Sequence, residues 1–180
     1  MLKEEVVLVD SNDNELGTME KMEAHKKGVL HRAFSVFIFN SKGEVLLQKR
    51  AKSKYHCGGL WSNTCCSHPR KNESLSAATT RRLNEEMGMK AELLHSFSFI
   101  YRAELDDNLI EHELDHVFIG YSNDIPFYNT DEVEGYCYLS PEELLLGFEK
   151  HPNEYTPWLK ICFQELINNI NKNTFYEKVS

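Results

Sequence analysis

The sequence predicts an α/β fold in which a central sheet packs between helices. Short apolar runs, alternating or continuous and typical of strands, recur from residue 5 to residue 139. Helix signals separate and follow them: a run of periodic residues near the middle, then two proline-containing helix starts near the carboxyl end. Strands interleaved with helices are typical of an α/β sandwich. The length of 180 residues indicates one domain.

The first third of the chain is predicted to be mostly strand. Its runs EVVLV, HRAFSVFIF and EVLLQKR are rich in β-branched and aromatic residues and are bounded by polar or glycine-containing segments. The predicted segments are, in order, a strand at 5–9, a turn at 11–17, a charged segment at 18–27, a strand at 30–39, its hairpin partner at 44–50 after a turn at 40–43, a basic loop at 51–60 and a short strand at 61–66.

The remainder contains three predicted helices. The first begins at Asn72 or Ser74, whose side chains suit a helix N-cap, and ends at Gly88, a residue typical of a helix C-terminus. Two further helices begin at serine-proline and threonine-proline pairs, because proline suits the first helical position. The predicted segments after the first helix are strands at 91–103 and 110–121 around an acidic loop at 104–108, a strand at 135–139, a helix opening at 140–143, a helix from 156 to about 170 and a loose tail from 171.

Composition limits the classes of function. The net charge is −8, from 28 acidic and 20 basic residues, so duplex nucleic acid is not an expected partner because its phosphates need a basic surface. A small anionic substrate fits only where cations converge. Five cysteines, with no apolar signal segment at the start, predict unpaired thiols in the cytoplasm. No apolar run approaches the ~18 residues of a membrane span, and we expect a monomer.

Metal-binding residue types lie on both sides of the run from Trp61 to Gly88. Glu111 and Glu113 alternate along a predicted strand, so both carboxylates face one side and repel unless a cation or a proton lies between them. A single histidine is more often structural than a ligand, and two alternating glutamates are usually a polar face. Spacing alone therefore leaves both interpretations open. The candidate ligands are His25, His31, His68, Glu111 and Glu113.

The run from Trp61 to Gly88 resembles the Nudix box, G-x5-E-x7-R-E-U-x-E-E-x-G-U, in which U is aliphatic. Ser67 replaces its first glycine, and Arg82 replaces a glutamate that normally helps to hold the metals for diphosphate hydrolysis. The preceding SNTCCSHP is similar to the type I isopentenyl-diphosphate isomerase family, and this resemblance extends from His25 to Trp158. The residues in register with the box are Glu73, Arg81, Leu83, Glu85, Glu86, Gly88 and Met89.

The resemblance implies a Nudix-type α/β/α sandwich with a central mixed sheet. It also implies interconversion of isopentenyl and dimethylallyl diphosphate, by protonation at C4 and deprotonation at C2, without a flavin. Cys66 and Glu113 match the family's catalytic positions, and Tyr101 is expected to hydrogen-bond Glu113. On a strand only one of Cys65 and Cys66 faces the site, and the N-x-x-C-x-H-P register selects Cys66. Near a metal and cations, this thiol is expected to titrate near neutrality.

The same resemblance implies metal and substrate sites. All five candidate ligands match the family's metal positions, and such a set suits zinc, manganese or magnesium. A second Mg²⁺ is expected to bridge the substrate diphosphate and Glu86. Trp158 is expected to stabilise the developing carbocation through its π face. The residues that match substrate-binding positions are Lys21, Arg50, Lys54, Arg82 and Trp158.

Some features depart from the family pattern. Gly58 and Gly59 stand where proline-glycine is usual, and His56, Cys57 and His116 are interpreted as structural. Two alternatives are a Nudix hydrolase, against which Arg82 and Cys66 count, and a binding module stapled by zinc. Structural zinc sites usually contain C-x2–4-C pairs, whereas this chain has only adjacent cysteines at 65 and 66.

Overall fold

The computed structural model describes residues 4–54, 56–105 and 108–173, with side chains up to residue 169. None of the helices in these ranges has both the length and the apolarity that a membrane crossing requires. The strands are β1 (Glu5–Val9), β2 (Glu15–Glu20), β3 (His31–Phe39), β4 (Val45–Arg50), β5 (Trp61–Ser62), β6 (Cys65–Ser67), β7 (Leu93–Glu104), β8 (Ile110–Tyr121) and β9 (Val133–Leu139). The helices are α1 (Lys21–Lys27), α2 (Leu75–Met87), α3 (Pro141–Lys150), a 3-10 turn (Pro152–Glu154) and α4 (Pro157–Asn173).

The sheet is mixed and is built around β3. Along its whole length β3 pairs in parallel with β8, from His31 opposite Glu113 to Phe39 opposite Tyr121. The other pairings are antiparallel: β7 with β8, β9 with β4, and β1 with β2. The parallel pair at the centre and the antiparallel strands around it confirm the prediction of a central mixed sheet.

Helices cover both faces of the sheet. On one face, Phe34, Val36 and Ile38 of β3 pack against α2. On the other, Phe37 and Phe39 pack against apolar side chains of α3 and α4. Alternate residues of one strand thus enter two separate cores, as the two-residue period of a strand requires. The α/β/α sandwich is confirmed.

The predicted hairpin between β3 and β4 is wrong beyond its turn. These strands pair only at Phe39 and Val45, and β4 pairs mainly with β9. The segment from β5 to β6 lies between them, and β6 pairs with β3 instead. The Thr64 hydroxyl accepts from Ile38 N at 2.9 Å and donates to Leu46 O at 2.6 Å. The Thr64 hydroxyl thereby stands in for a direct backbone hydrogen bond between β3 and β4. The strand predicted at 61–66 is in fact two short strands, β5 and β6.

Other boundaries also differ from the prediction. The predicted turn at 11–17 ends early because β2 begins at Glu15, and the charged segment at 18–27 contains α1, whose first amides Glu20 caps. Ser74, and not Asn72, caps α2 by accepting from Ala77 N at 3.2 Å. The last helix continues to Asn173, and the rest of the predicted tail lies outside the described residues, as do residues 106 and 107 of the acidic loop.

Candidate active site

A pocket is lined by side chains of β3, β6, β7 and β8 and by residues of α1, α2 and α4. The register sets His31 opposite Glu113, Glu113 opposite Tyr101, and Ser35 opposite Cys66. The pocket encloses about 540 Å³ of empty space, open solvent included. Its lining includes these predicted residues: Lys21, His25, Arg50, Lys54, Cys66, His68, Arg82, Glu86, Tyr101, Glu111, Glu113 and Trp158.

Four buried side chains meet at the base of this pocket. The ligand atoms of His25, His31, His68 and Glu113 all lie within 4.8 Å of one another. His25 Nδ1–H donates to Lys21 O at 2.7 Å, and His31 Nδ1–H donates to Val29 O at 2.8 Å. These bonds place Nε2 of both rings toward Glu113 Oε1, at 3.9 and 3.5 Å. Backbone-held tautomers of this kind are typical of metal-binding histidines.

The contacts of this group suit a cation. The buried His31 Nε2 has no hydrogen-bond partner and lies 3.5 Å from Glu113 Oε1. Burial lowers the pKa of His68 to about 4, which favours a neutral imidazole able to bind metal. Although burial opposes its ionisation, the imidazoles of His31 and His68 hold the pKa of Glu113 well below its usual range. Imidazoles around a carboxylate form a set that a divalent metal ion fits.

Glu111 lies outside this group of four. The Tyr101 hydroxyl lies 3.0 Å from Glu111 Oε2 and 2.7 Å from Glu113 Oε2. Burial and the charge of Glu113 raise the pKa of Glu111 well above its usual range. One hydroxyl has one proton to donate, so the arrangement is balanced when protonated Glu111 donates to Tyr101 and Tyr101 donates to Glu113. A proton on Glu111 therefore accounts for the close approach of these two carboxyl groups to one hydroxyl.

The two adjacent cysteines have opposite surroundings. Cys65 packs into the core against α2, whereas Cys66 lines the pocket beside Ser35. Burial raises the pKa of Cys66 to about 12. Arg50 lowers this pKa, whereas the carboxylates nearby raise it. Without a metal ion the Cys66 thiol therefore favours its protonated form, and its titration near neutrality beside a bound metal stays a prediction.

The predicted phosphate-binding cations line the pocket, and carboxylates hold Lys54 and Arg82 in place. Lys54 Nζ lies 2.5 Å from Glu132 Oε2, and Arg82 Nη2 lies 3.3 Å from the same oxygen. Arg82 also pairs with Glu86, whose other oxygen accepts from Gln48 Nε2 at 2.6 Å. Burial opposes the charge of Arg82, but these carboxylates raise its pKa. Glu132 thus holds together two cations from separate elements.

Trp158 forms the apolar end of the pocket and is only 3 % exposed. Its Nε1–H donates to Ser62 Oγ at 2.9 Å, which fixes the plane of the indole. The guanidinium carbon of Arg50 lies 5.1 Å from the ring centroid, within the range of a cation–π contact. His56 meets the same ring edge-to-face at 5.5 Å. The indole therefore borders both the cationic and the apolar parts of the pocket.

Sequence reasoning missed several residues around the site. His56, interpreted as structural, lies in the pocket wall. Glu132 and Gln48 hold the cations and Glu86, and Ser62 orients Trp158. For His56, the one available signal in the sequence was its position two residues after Lys54, a predicted substrate-binding residue. Glu132 is 78 residues from Lys54 along the chain, and no local pattern indicates such a pair.

Comparison with known proteins gives a consistent result. A NUDIX domain family model matches residues 29–159. The chain is 52 % identical over 162 residues to the isopentenyl-diphosphate Delta-isomerase of Pectobacterium atrosepticum, covering 90 % of each chain. It is 48 % identical over 167 residues to isopentenyl-diphosphate Delta-isomerase 2 of Aromatoleum aromaticum, covering 93 % of this chain and 88 % of the relative. DR0079 of Deinococcus radiodurans has a similar fold, with a TM-score of 0.75 and 18 % identity over 90 % of this chain and 98 % of its own.

Proposed function

The chain belongs to the Nudix family and, within it, to the isopentenyl-diphosphate Delta-isomerases, and we propose that its pocket interconverts isopentenyl and dimethylallyl diphosphate. One observation carries the assignment of the pocket: the Cys66 thiol and the Glu113 carboxyl group line the same buried space. Moving a double bond requires a proton added at one carbon and another removed nearby. An acid and a base in one pocket supply both groups.

The diphosphate is proposed to bind at the mouth of the pocket. Lys21, Arg50 and Arg82 converge there from α1, β4 and α2, and Lys54 from the loop after β4. Arg82 occupies a box position at which hydrolases have a metal-binding glutamate, so the chain has one more cation for the diphosphate and one fewer carboxylate for hydrolysis. This exchange favours the isomerase over the Nudix hydrolase alternative. A second Mg²⁺ is proposed to neutralise the diphosphate beside Glu86.

The hydrocarbon end is proposed to lie against Trp158, between Cys66 and Glu113. Protonation at C4 creates positive charge on a tertiary carbon, and water would trap this cation as an alcohol. The indole excludes water, and its π system stabilises a desolvated cation by ~2 kcal/mol. Tyr101 donates to Glu113 and so orients the carboxylate that exchanges a proton with the substrate.

The metal is proposed to bind His25, His31, His68 and Glu113, with Glu111 as a fifth ligand once it has lost its proton. The three imidazoles suit zinc, and the two carboxylates suit manganese and magnesium. When bound, the ion supplies positive charge that holds both carboxylates ionised and fixed. The protein's own contribution is to hold the imidazoles in one tautomer through the carbonyls of Lys21 and Val29.

The direct test supplies isopentenyl diphosphate and Mg²⁺ to the metal-loaded protein in D2O and follows the products by NMR. We expect the dimethylallyl isomer to accumulate with deuterium incorporated from the solvent. A parallel reaction with a nucleoside diphosphate-linked substrate measures phosphate or nucleotide release and is expected to show none above background. Hydrolysis without isomerisation would overturn the proposal in favour of a Nudix hydrolase.

A further inference from the structure

A second cluster of chemically active side chains lies on the opposite face of the sheet from the pocket. His95 Nε2 is 3.0 Å from Ser98 Oγ, and His116 Nδ1 is 2.9 Å from the same oxygen. On the far side of His116, Nε2 lies 3.2 Å from Asp13 Oδ2. Two imidazoles therefore converge on one hydroxyl, and a carboxylate lies behind one of them.

A β-bulge brings these side chains together. Ser98 lies directly opposite His116 across β7 and β8, and the register between these strands shifts between His95 and Phe97. In a regular strand His95 and Ser98, three residues apart, face opposite sides of the sheet. The extra residue at the bulge changes that alternation and turns both toward His116. Bulges commonly re-aim a side chain in this way at functional sites.

Asp13 lies behind His116. Its carboxylate oxygen is 3.2 Å from His116 Nε2, close enough for an ion pair but outside hydrogen-bonding geometry, and it is held from the other side by Arg32, whose Nε–H donates to Oδ1 at 2.7 Å. A negative charge beside Nε2 favours the tautomer that carries its proton there and leaves the Nδ1 lone pair directed at Ser98. Carboxylate–histidine pairs of this kind stand behind many metal-binding imidazoles. Burial also lowers the pKa of His116, which favours the neutral form that binds metal.

The spacing of the two rings suits a shared ion. Their centroids are 5.6 Å apart, the same separation as His25 and His68 in the candidate metal group of the pocket. His95 is exposed, so an ion can reach the cluster from solvent. The order Asp13, His116, Ser98 also resembles a charge-paired serine nucleophile. That chemistry needs one base, and the convergence of a second imidazole favours a metal ion instead.

We propose that His95 and His116 form a second metal site, for a divalent transition-metal ion such as Zn²⁺. The ion takes His95 Nε2 and His116 Nδ1 as ligands, with Ser98 or water completing the coordination, and Asp13 orients His116 from behind. Nitrogen ligands select zinc, copper or nickel over magnesium, so this site discriminates against the Mg²⁺ that accompanies the substrate. The bound ion links β7 and β8, and through Asp13 the turn before β2.

The test is a Zn²⁺ titration of the full-length, metal-loaded enzyme in excess Mg²⁺, read with a chromogenic zinc chelator. Wild type is expected to bind one more equivalent of zinc than His95→Ala. The exposed His151 provides the matched control, and His151→Ala is expected to behave as wild type.

A second variant, Asp13→Asn, tests the orienting carboxylate. Asparagine readily adopts the left-handed backbone conformation of Asp13, whose φ is 65°, so the turn should be retained. This variant should keep the extra equivalent but bind it about 10–100-fold more weakly, the usual effect of losing such an orienting carboxylate.

Imidazole ¹⁵N resonances provide a second readout, since those of His95 and His116 should shift together as the extra zinc binds. Without added zinc, the isomerase rate of His95→Ala should equal that of wild type, which would show that the variant folds. If the rate is lower, the titration is repeated with His95→Gln. The proposal is overturned if wild type binds no extra equivalent, or if His95→Ala retains it with unchanged affinity.

Discussion

At the scale of single residues, the contrast between Cys65 and Cys66 makes a sharp test. We expect Cys66→Ser to lower kcat by about 10²–10⁴-fold, the usual contribution of a general acid or base, because a serine hydroxyl is far less acidic than a thiol. Cys65→Ser places a hydroxyl in the core beside α2, so it should lower the melting temperature and leave kcat within a fewfold of wild type. Steady-state rates with isopentenyl diphosphate distinguish the two; equal losses of kcat would contradict the assignment.

Glu111 leads to a prediction about protons. Burial lowers the pKa of His25 and His68 and so favours their neutral forms, whereas burial and the charge of Glu113 raise the pKa of Glu111 well above its usual range and favour its protonated form. A divalent ion in this group should therefore expel the Glu111 proton. We expect metal binding to release about one proton more from wild type than from Glu111→Gln.

Calorimetric titrations of the metal in buffers of different ionisation enthalpy count these protons. The same experiment on Tyr101→Phe separates the carboxyl from the hydroxyl, because that variant retains Glu111 and should still release the proton. Identical proton release by wild type and Glu111→Gln would show that Glu111 is already ionised and would remove it as the source.

At the scale of elements, the segment from β5 to β6 positions the thiol of Cys66, the proposed acid–base group. Thr64 bridges Ile38 and Leu46 through its hydroxyl, and the next strand carries Cys66. Thr64→Val leaves a buried amide and a buried carbonyl without this partner, which should cost about 1–3 kcal/mol for each group. We also expect kcat to fall about 10–100-fold, since small misplacements of a reacting group have effects of that size.

Thr79 is the matched control for Thr64. It is equally buried but lies on α2, where its hydroxyl donates to Ser76 O at 3.1 Å. Thr79→Val should lower the free energy of unfolding without changing kcat. Were both variants to lose stability and retain full activity, the bridge would be structural only, and the position of Cys66 would not depend on it.

At the scale of the whole molecule, one buried carboxyl makes stability depend on pH. Asp115 is 1 % exposed, and burial raises its pKa from 3.8 to about 8 although Ser35 Oγ donates to it. The folded state therefore keeps a proton that the unfolded state loses above pH 4. Its contribution to stability is complete below pH 4, falls as pH rises to 8, and is constant thereafter.

Asp115→Asn removes this dependence because an amide does not titrate. A tenfold change in proton affinity corresponds to ~1.4 kcal/mol, so the variant should gain up to a few kcal/mol over wild type at pH 8 relative to pH 4. Denaturant unfolding of metal-free protein across this range measures the difference, with Asp124→Asn as an exposed control. Parallel curves for wild type and Asp115→Asn would contradict the raised pKa.

Much of this protein follows from local sequence. The helix ends at Ser74 and Gly88, the strand runs, and the alternation that separates Cys65 from Cys66 all depend on neighbours within a few residues, where backbone and side-chain preferences act. The box register likewise identified Arg82 as a cation in place of a carboxylate. Local rules are sufficient for these features because each depends on the geometry of a single helix or strand.

Tertiary structure alone determined the pairing of β4 with β9, the wedge at Thr64 and the place of Glu132 between Lys54 and Arg82. Glu132 is 78 and 50 residues from those cations, so their meeting depends on the register of the whole sheet. The raised pKa of Asp115 has the same origin, because burial is a property of the packed layers and not of the strand that carries it. A residue's type determines which interactions it can make, and the assembled sheet determines which of them it does make.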